Sequence, residues 1–218
     1  MTKVPERVDP IAAELCRLCE HAVSRLPATG AGLSVMTMEV QLTLLAAADP
    51  VSERLEELQF VLGEGPCVDA IAAGRPVLVP DLATAGPTRW PVYAEAVLGA
   101  GMKAVFAFPL QVGAARLGVI DFFRTAPGQL SGEELKQAFA FADEAVMILL
   151  DGGIGGDVQP IAGPAELFQA QGMVMVQLGG SLAEAMARIR AHAYAENRRL
   201  SDVAHDIVER TLRFDRDG

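Results

Sequence analysis

Arginines and cysteines are the residues whose types and spacing could do chemistry. Six arginines (Arg188, Arg190, Arg198, Arg199, Arg210 and Arg213) fall between residues 188 and 213 beside four acids, a local charge of 6 − 4 = +2. Guanidinium groups pair with phosphate through a rigid fork of donors. Dedicated nucleic-acid domains usually show a pI above about 9, however, so on charge alone a solvated or ion-paired helix surface competes equally with a nucleic-acid contact. Arg188 and Arg190 stand two residues apart and cannot share one face of a helix. Arg190 can alternatively anchor a bundle by pairing with an acid. Arg198 and Arg199 fall in a turn between helical segments, where long cations reach phosphates. Tyr194 offers a ring for stacking on a base or for packing between helices.

The cysteines point elsewhere. Cys16 and Cys19 form the CxxC "CRLC". A tetrahedral zinc site needs four ligands, and no second CxxC or histidine cluster completes one. His21, His192 and His205 are scattered, so no metal site is expected and packing is the favoured role of the pair. Cys67 in "GEGPC" opens a helix, where the helix dipole lowers a thiol pKa; packing is again favoured over redox sensing. No phosphate-cradling GxxxxGK[ST] loop and no GxSxG elbow is present. "GGDV" at 155–158 lacks the acidic and aromatic neighbours of a cyclase signature. The expectation is a non-catalytic protein without a cofactor.

Composition bounds the setting. The chain of 218 residues has 18 Lys+Arg against 28 Asp+Glu, a net charge of −10. Residues 1–158 hold 11 − 20 = −9 of this and residues 159–218 hold 7 − 8 = −1. Half the residues are apolar, a globular proportion. No apolar run approaches the ~20 residues that span a bilayer. Glu6, Asp9, Glu14 and Glu20 interrupt the N-terminal segment, unlike a signal peptide. Three cysteines give no disulfide framework. A cytoplasmic protein with no membrane contact is expected.

The elements that must position these residues can be read from periodicity. Residues 9–26 show helical apolar spacing, with Asp9 as N-cap and Pro10 at the first helical position. "GAGLSVMTM" and "VQLTLLAAAD" read as a strand hairpin. A short helix follows from Asp49-Pro50 through Leu58, then a helix in "GEGPCVDAIAAG" that stops at Gly74. "RPVLVPDL" is an edge or terminal strand because of Pro80. "TRWPVYAEAVLGAG" is helical, with Thr88 as its cap. "KAVFAFPLQV" and "ARLGVIDFFR" pair around Gly113. Ser131 and Glu134 form a capping box for a long helix to residue 150. Adjacent strands on short connections demand antiparallel pairing, hence an α+β fold. "DGGIGGDVQPIAGP" breaks any regular element and places a linker at 151–163. Three helices follow over 164–214: one from Pro164 to the Gly179-Gly180 pair, one capped by Ser181, and one capped by Ser201 and running through Phe214.

"LGEGPCVDAIAAGRPVLVPDL", "RWPVYAEAVLGAGMKAVFAFPLQV" and "RLGVIDFFR" resemble a GAF domain of actinobacterial type over residues 9–150. The tail resembles an ANTAR domain. The matching positions are Gln169, Ala170, Gly172 and Met173, then Ala185, Ile189, Arg190 and Ala193, the turn Asn197, Arg198 and Leu200, and Val203, Ala204 and Ile207. The resemblance implies a GAF-like antiparallel sheet flanked by helices, followed by an all-α three-helix bundle. It implies a signal-responsive transcription antiterminator whose sensory domain governs an RNA-binding tail and whose partner is leader RNA carrying paired hairpins. Arg188, Arg190, Tyr194, Asn197, Arg198 and Arg199 are then the expected RNA contacts. A DNA-binding tail is disfavoured, since the turn between the last two helices lacks a glycine and the basicity is low. A tail that serves only dimerisation or protein docking is the alternative.

GAF pockets lie between sheet and covering helices, so Met36, Trp90, Phe106 and Phe108 are the expected lining for an unknown small ligand. No cyclic-nucleotide motif is present. An empty pocket serving as a dimerisation scaffold is the other reading. Finally, the helix 131–150 carries more apolar positions than one sheet face requires. A homodimer across Phe141, Ala145 and Ile148 is the expectation.

Overall fold

The computed structural model describes residues 10–36, 42–152, 164–196 and 198–215. The N-cap expected at Asp9, nearly all of the linker placed at 151–163, and Asn197 lie outside the described residues.

The first element, α1 (Pro10–Arg25), leads into a hairpin of β1 (Gly30–Met36) and β2 (Leu42–Ala47). Next come α2 (Pro50–Leu62), α3 (Pro66–Ala73), β3 (Val77–Val79), α4 (Leu82–Arg89) and α5 (Pro91–Gly99). A second hairpin, β4 (Ala104–Val112) and β5 (Ala115–Arg124), precedes α6 (Gly132–Asp151). All strand pairs are antiparallel, in the order β2-β1-β5-β4-β3. The α+β expectation is met.

Side chains alternate across a strand, so β4 and β5 each feed two layers. Phe106, Phe108, Leu110, Ile120 and Phe122 point to the face covered by α1 and α6, where Leu15, Leu18, Ala138 and Leu149 close the core. Val105, Ala107, Val119 and Phe123 point to the opposite face, covered by Leu55, Cys67, Trp90, Tyr93 and Val97. At ~25 cal/mol per Å² of apolar surface removed from water, each large side chain contributes roughly 1.5–3 kcal/mol here.

The remaining helices, α7 (Pro164–Leu178), α8 (Leu182–Ala195) and α9 (Leu200–Val208), form a bundle around Ala170, Val174, Ala185, Ile189, Val203, Ala204 and Ile207. Val61 of α2 belongs to this core and Phe60 packs against it. A bundle of three short helices buries little surface alone. Here it leans on α2.

Several boundaries differ from expectation. Helix α2 runs four residues past Leu58, to Leu62, and is closed by Gly63 at φ 68°, because Gln59 to Leu62 still have core on one side. Between the "RPVLVPDL" strand and Thr88, where the sequence reading assigns no element, the chain forms α4. Asp81 caps it by accepting from the Ala83 N–H (3.1 Å) and the Thr84 hydroxyl (2.8 Å), and Thr88 lies inside its last turn. Helix α5 is capped from elsewhere in the chain: Glu64 Oε1 accepts from both the Val92 and Tyr93 N–H groups at 3.0 Å. Ser201 is inside α9, whose N-cap is Arg199. Helix α9 ends at Val208 instead of running to Phe214. Arg210 turns at φ 62°, and the Thr211 and Leu212 amides bond back to the Asp206 carbonyl. The Phe214 N–H then donates to Gln177 Oε1 at 2.9 Å, tying the tail to α7.

Strands β1 and β5 leave no room for a side chain at Gly118, where a Cβ would sit 2.2 Å from the Ser34 carbonyl oxygen. Gly118→Ala must spread two central strands, and overpacking of this kind costs about 1–3 kcal/mol. Urea unfolding should show a lower midpoint at unchanged slope; an unchanged midpoint would contradict this account of the sheet.

Candidate functional site

One group of polar residues is buried under the sheet on the α2 side. Asp121 of β5 points to the face otherwise occupied by Val119 and Phe123. Its cross-strand partner is Gly32, and that missing side chain makes room for Glu56: a Cβ at Gly32 would lie 2.3 Å from Glu56 Cγ. The Ser34 hydroxyl donates to Glu56 Oε2 at 3.0 Å. Gln59 acts as a clamp. Its Nε2 donates to Asp121 Oδ2 at 2.6 Å, and its Oε1 accepts the Cys67 N–H at 2.8 Å. Helices α2 and α3 and strand β5 are thus joined by one amide.

Burial disfavours charge in this group. It pushes Asp121 up to about 7 and Glu56 well above the usual carboxylate range, the nearby Asp121 charge adding to the effect on Glu56. The Cys67 thiol is likewise pushed well up by burial, with Asp121 and Glu56 adding to it. The helix start at Cys67 therefore does not yield a reactive thiolate. Glu56, Gln59, Tyr93 and Asp121 were not singled out by sequence reasoning. The available signal was an acid inside the apolar strand "GVIDFF" and a polar Glu-Gln pair on the inner side of "RLEELQF".

The second group is where the bundle meets α2. Arg199, at the start of α9, pairs with Glu53 and reaches Glu57 Oε2 at 3.4 Å. Arg190 of α8 lays its guanidinium 4.8 Å from the Phe60 ring centroid, and burial lowers its pKa. Arg198 holds its own module together: it pairs with Asp206 Oδ2 at 2.7 Å and donates to the Asp202 carbonyl at 3.3 Å. Arg188 is exposed on α8, and Tyr194 is 52% exposed. Arg190, Arg198 and Arg199 are therefore engaged within the chain, Arg190 and Arg199 by the front domain.

The expected pocket lining does not form one cavity wall. Trp90 packs, and Met36 leans, on the α2 side of the sheet, whereas Phe106 and Phe108 pack against α1 and α6 on the other. The strand period of two separates them, since both phenylalanines sit on β4 positions that face α6. A cavity of about 560 Å³ does reach Met36, together with Gln59, Phe60, Ile71, Arg116 and Arg190, at the junction with α8.

The expected dimer residues also turn inward. Phe141 and Ala145 are buried against α1, with His21 meeting the Phe141 ring edge-on at 5.5 Å, and Ile148 packs beside the same core. The large apolar residues that α6 exposes are Phe139, whose ring also meets Phe108 edge-on at 5.2 Å, Met147 and Leu150, with Asp143 between them. Cys19 is buried and Cys16 partly so, both in the α1 core.

Comparison with known proteins decides the family. A GAF domain family model matches residues 12–149, and an ANTAR domain model matches residues 165–208. The chain belongs to the GAF family, with an ANTAR domain behind it. Solved GAF domains share the fold at low identity. The GAF domain of the Acinetobacter phosphoenolpyruvate-protein phosphotransferase aligns with a TM-score of 0.53 at 10% identity, covering 70% of this chain and 90% of its own. The GAF domain of the cyanobacteriochrome TePixJ gives 0.52 at 17%, covering 70% and 99%. A GAF domain/HD domain protein from Geobacter sulfurreducens gives 0.51 at 9%, covering 66% and 95%. No curated protein matches the chain. GAF and ANTAR domains are regulatory families, so the GAF–ANTAR chain is a regulator of the antiterminator type. Among the described residues, no helix is long and apolar enough to cross a membrane.

Within the ANTAR bundle, His205 Nδ1 lies 3.1 Å from Glu166 Oε1, and this carboxylate raises the histidine pKa. The charged form is stabilised in the folded state. The contribution is therefore present below the unfolded value near 6.5 and is lost as pH rises through the folded value. NMR titration should place His205 above that of a model histidine, and Glu166→Gln should return it. A titration unaffected by Glu166→Gln would show that the pair does not form.

Proposed function

We propose that this chain is a signal-responsive, RNA-binding transcription antiterminator in which the sensory domain controls access to the ANTAR arginines. Residues 9–150 act as sensor, 151–163 as linker and 164–214 as RNA-binding module, in the cytoplasm. The observation that carries this reading is the seat of Arg190 and Arg199 on α2, against Phe60, Glu53 and Glu57. RNA is read largely in loops and through its backbone, so a few guanidinium groups and an exposed aromatic ring suffice for contact. Arg188, Arg190 and Arg199, with Tyr194 and Asn197, supply these, while Arg198 shapes the turn that presents them. Occupied by acidic α2, the arginines are withheld. Released, they meet phosphate.

Leader RNA with two short hairpins requires two such faces. We assign the second to another copy of the chain, paired through the outer side of α6 at Phe139, Met147 and Leu150. A small ligand in the cavity at the junction of α2, α3 and α8 is the natural signal, since Arg190 lines that cavity.

The test is competition binding by the full chain at ~0.15 M salt with paired-hairpin RNA, unpaired RNA and duplex DNA. Paired hairpins should bind at least ~10-fold more tightly than either control. Arg188→Ala/Arg199→Ala should weaken binding and flatten its salt dependence, because each phosphate contact releases condensed counterions. Equal affinity for all three, or none for hairpin RNA, would contradict the proposal and leave the tail as a docking or dimerisation element.

A further inference from the structure

The interior beneath β5 holds more donor atoms than the fold uses. The Tyr93 hydroxyl is buried without a hydrogen-bond partner, and the remaining oxygens of Glu56 and Asp121 have no partner but each other, the two side chains sharing a hydrogen bond. Cys67 shares this space. Its sulfur and one carboxylate oxygen each from Glu56 and Asp121 lie within 4.8 Å of one another, and all three residues are buried. The Tyr93 hydroxyl faces the same group, within range of the charges of Asp121, Glu56 and Cys67. Four elements that are distant in sequence (α2, α3, α5 and β5) deliver these atoms to one point, and Gly32 keeps that point open for Glu56.

We propose that Glu56, Cys67 and Asp121 form a binding site for one divalent cation of the zinc type, with Tyr93 beside the open fourth position. The donor set selects the class of ion: one sulfur with two carboxylates suits zinc, whereas calcium and magnesium take oxygen ligands alone. The spacing fits after a small contraction. A tetrahedral ion with bonds of about 2.0–2.3 Å holds its donors roughly 3.3–3.8 Å apart, so no pair of these atoms must close by more than about 1.5 Å. An outer layer is already in place, as second-shell contacts orient metal ligands. Gln59 fixes Asp121 and the Cys67 backbone, and Ser34 fixes Glu56.

Gln59 lines the 560 Å³ cavity as well as the cluster, so one side chain separates the two. Bound there, the ion would fix α2 to the sheet, and α2 is the helix on which Arg190 and Arg199 rest.

The test is a titration of the reduced, chelator-stripped full chain, with Co²⁺ followed by absorbance and Zn²⁺ by calorimetry in two buffers of different ionisation enthalpy. One ion per chain, a thiolate-to-cobalt absorption band and net release of protons on binding are expected. Cys67→Ser and Asp121→Asn should abolish the band and weaken Zn²⁺ binding by at least ~10-fold. Cys16→Ala/Cys19→Ala and His205→Ala, which remove the other thiols and the exposed imidazole beside Glu166, should leave both unchanged. If Cys67→Ser fails to fold, retention of the band in Cys16→Ala/Cys19→Ala assigns it to Cys67. Absence of the band from the wild-type chain, its loss with Cys16 and Cys19, or undiminished Zn²⁺ affinity in folded Cys67→Ser overturns the site.

Discussion

The polar cluster under the sheet and the ANTAR bundle are joined through α2, a helix packed on three sides. Leu55 enters the apolar core under the sheet, Glu56 and Gln59 enter the polar cluster, and Val61 enters the core of the ANTAR bundle with Phe60 beside it. Glu53 and Glu57 occupy the remaining edge and hold Arg199. A helix committed in this way cannot shift toward the sheet without moving relative to the bundle. Interiors packed at crystal-like density transmit such displacements instead of absorbing them.

The energies allow the contact to open. Ion pairs with partly exposed members contribute about 0.2–1 kcal/mol each, and a guanidinium–ring contact about 0.5 kcal/mol when exposed and about 2 kcal/mol when desolvated. The polar part of the hold on Arg190 and Arg199 is therefore of order 1–4 kcal/mol, close to a typical coupling free energy between sites. The polar cluster is the opposite case. Its carboxylates are enclosed, so a change in their proton or ligand state alters α2 from the side facing away from the bundle.

The frame of the fold was legible because its signals are local. Capping boxes at Ser131 and Ser181, and strand runs that end at turns, are visible within a few residues. What escaped depends on partners far away in the chain. Helix α5 takes its cap from Glu64, so Thr88 gave a misleading start, and α4 is held by Asp81 despite an internal Pro87. The arginine cluster was legible as a set of residues, but their present partners were not, since Glu53 is separated from Arg199 by 146 positions. Phe106 and Phe108 were assigned to a pocket on residue type, whereas strand parity puts them on the α6 side. The polar cluster was invisible for the same reason: Glu56, Cys67 and Asp121 have no motif spacing and converge only through topology.

The central claim is that α2 competes with RNA for the ANTAR arginines. Its most direct measurement is the affinity of the full chain for paired-hairpin RNA in Glu53→Gln/Glu57→Gln, compared with Glu14→Gln/Glu20→Gln, which changes net charge equally at exposed positions of α1. The account predicts roughly 2–30-fold tighter binding for the α2 variant, from two released pairs of about 0.2–1 kcal/mol each, and a smaller change for the α1 variant. Equal affinity in the two variants, or weaker binding in the α2 variant, would contradict it.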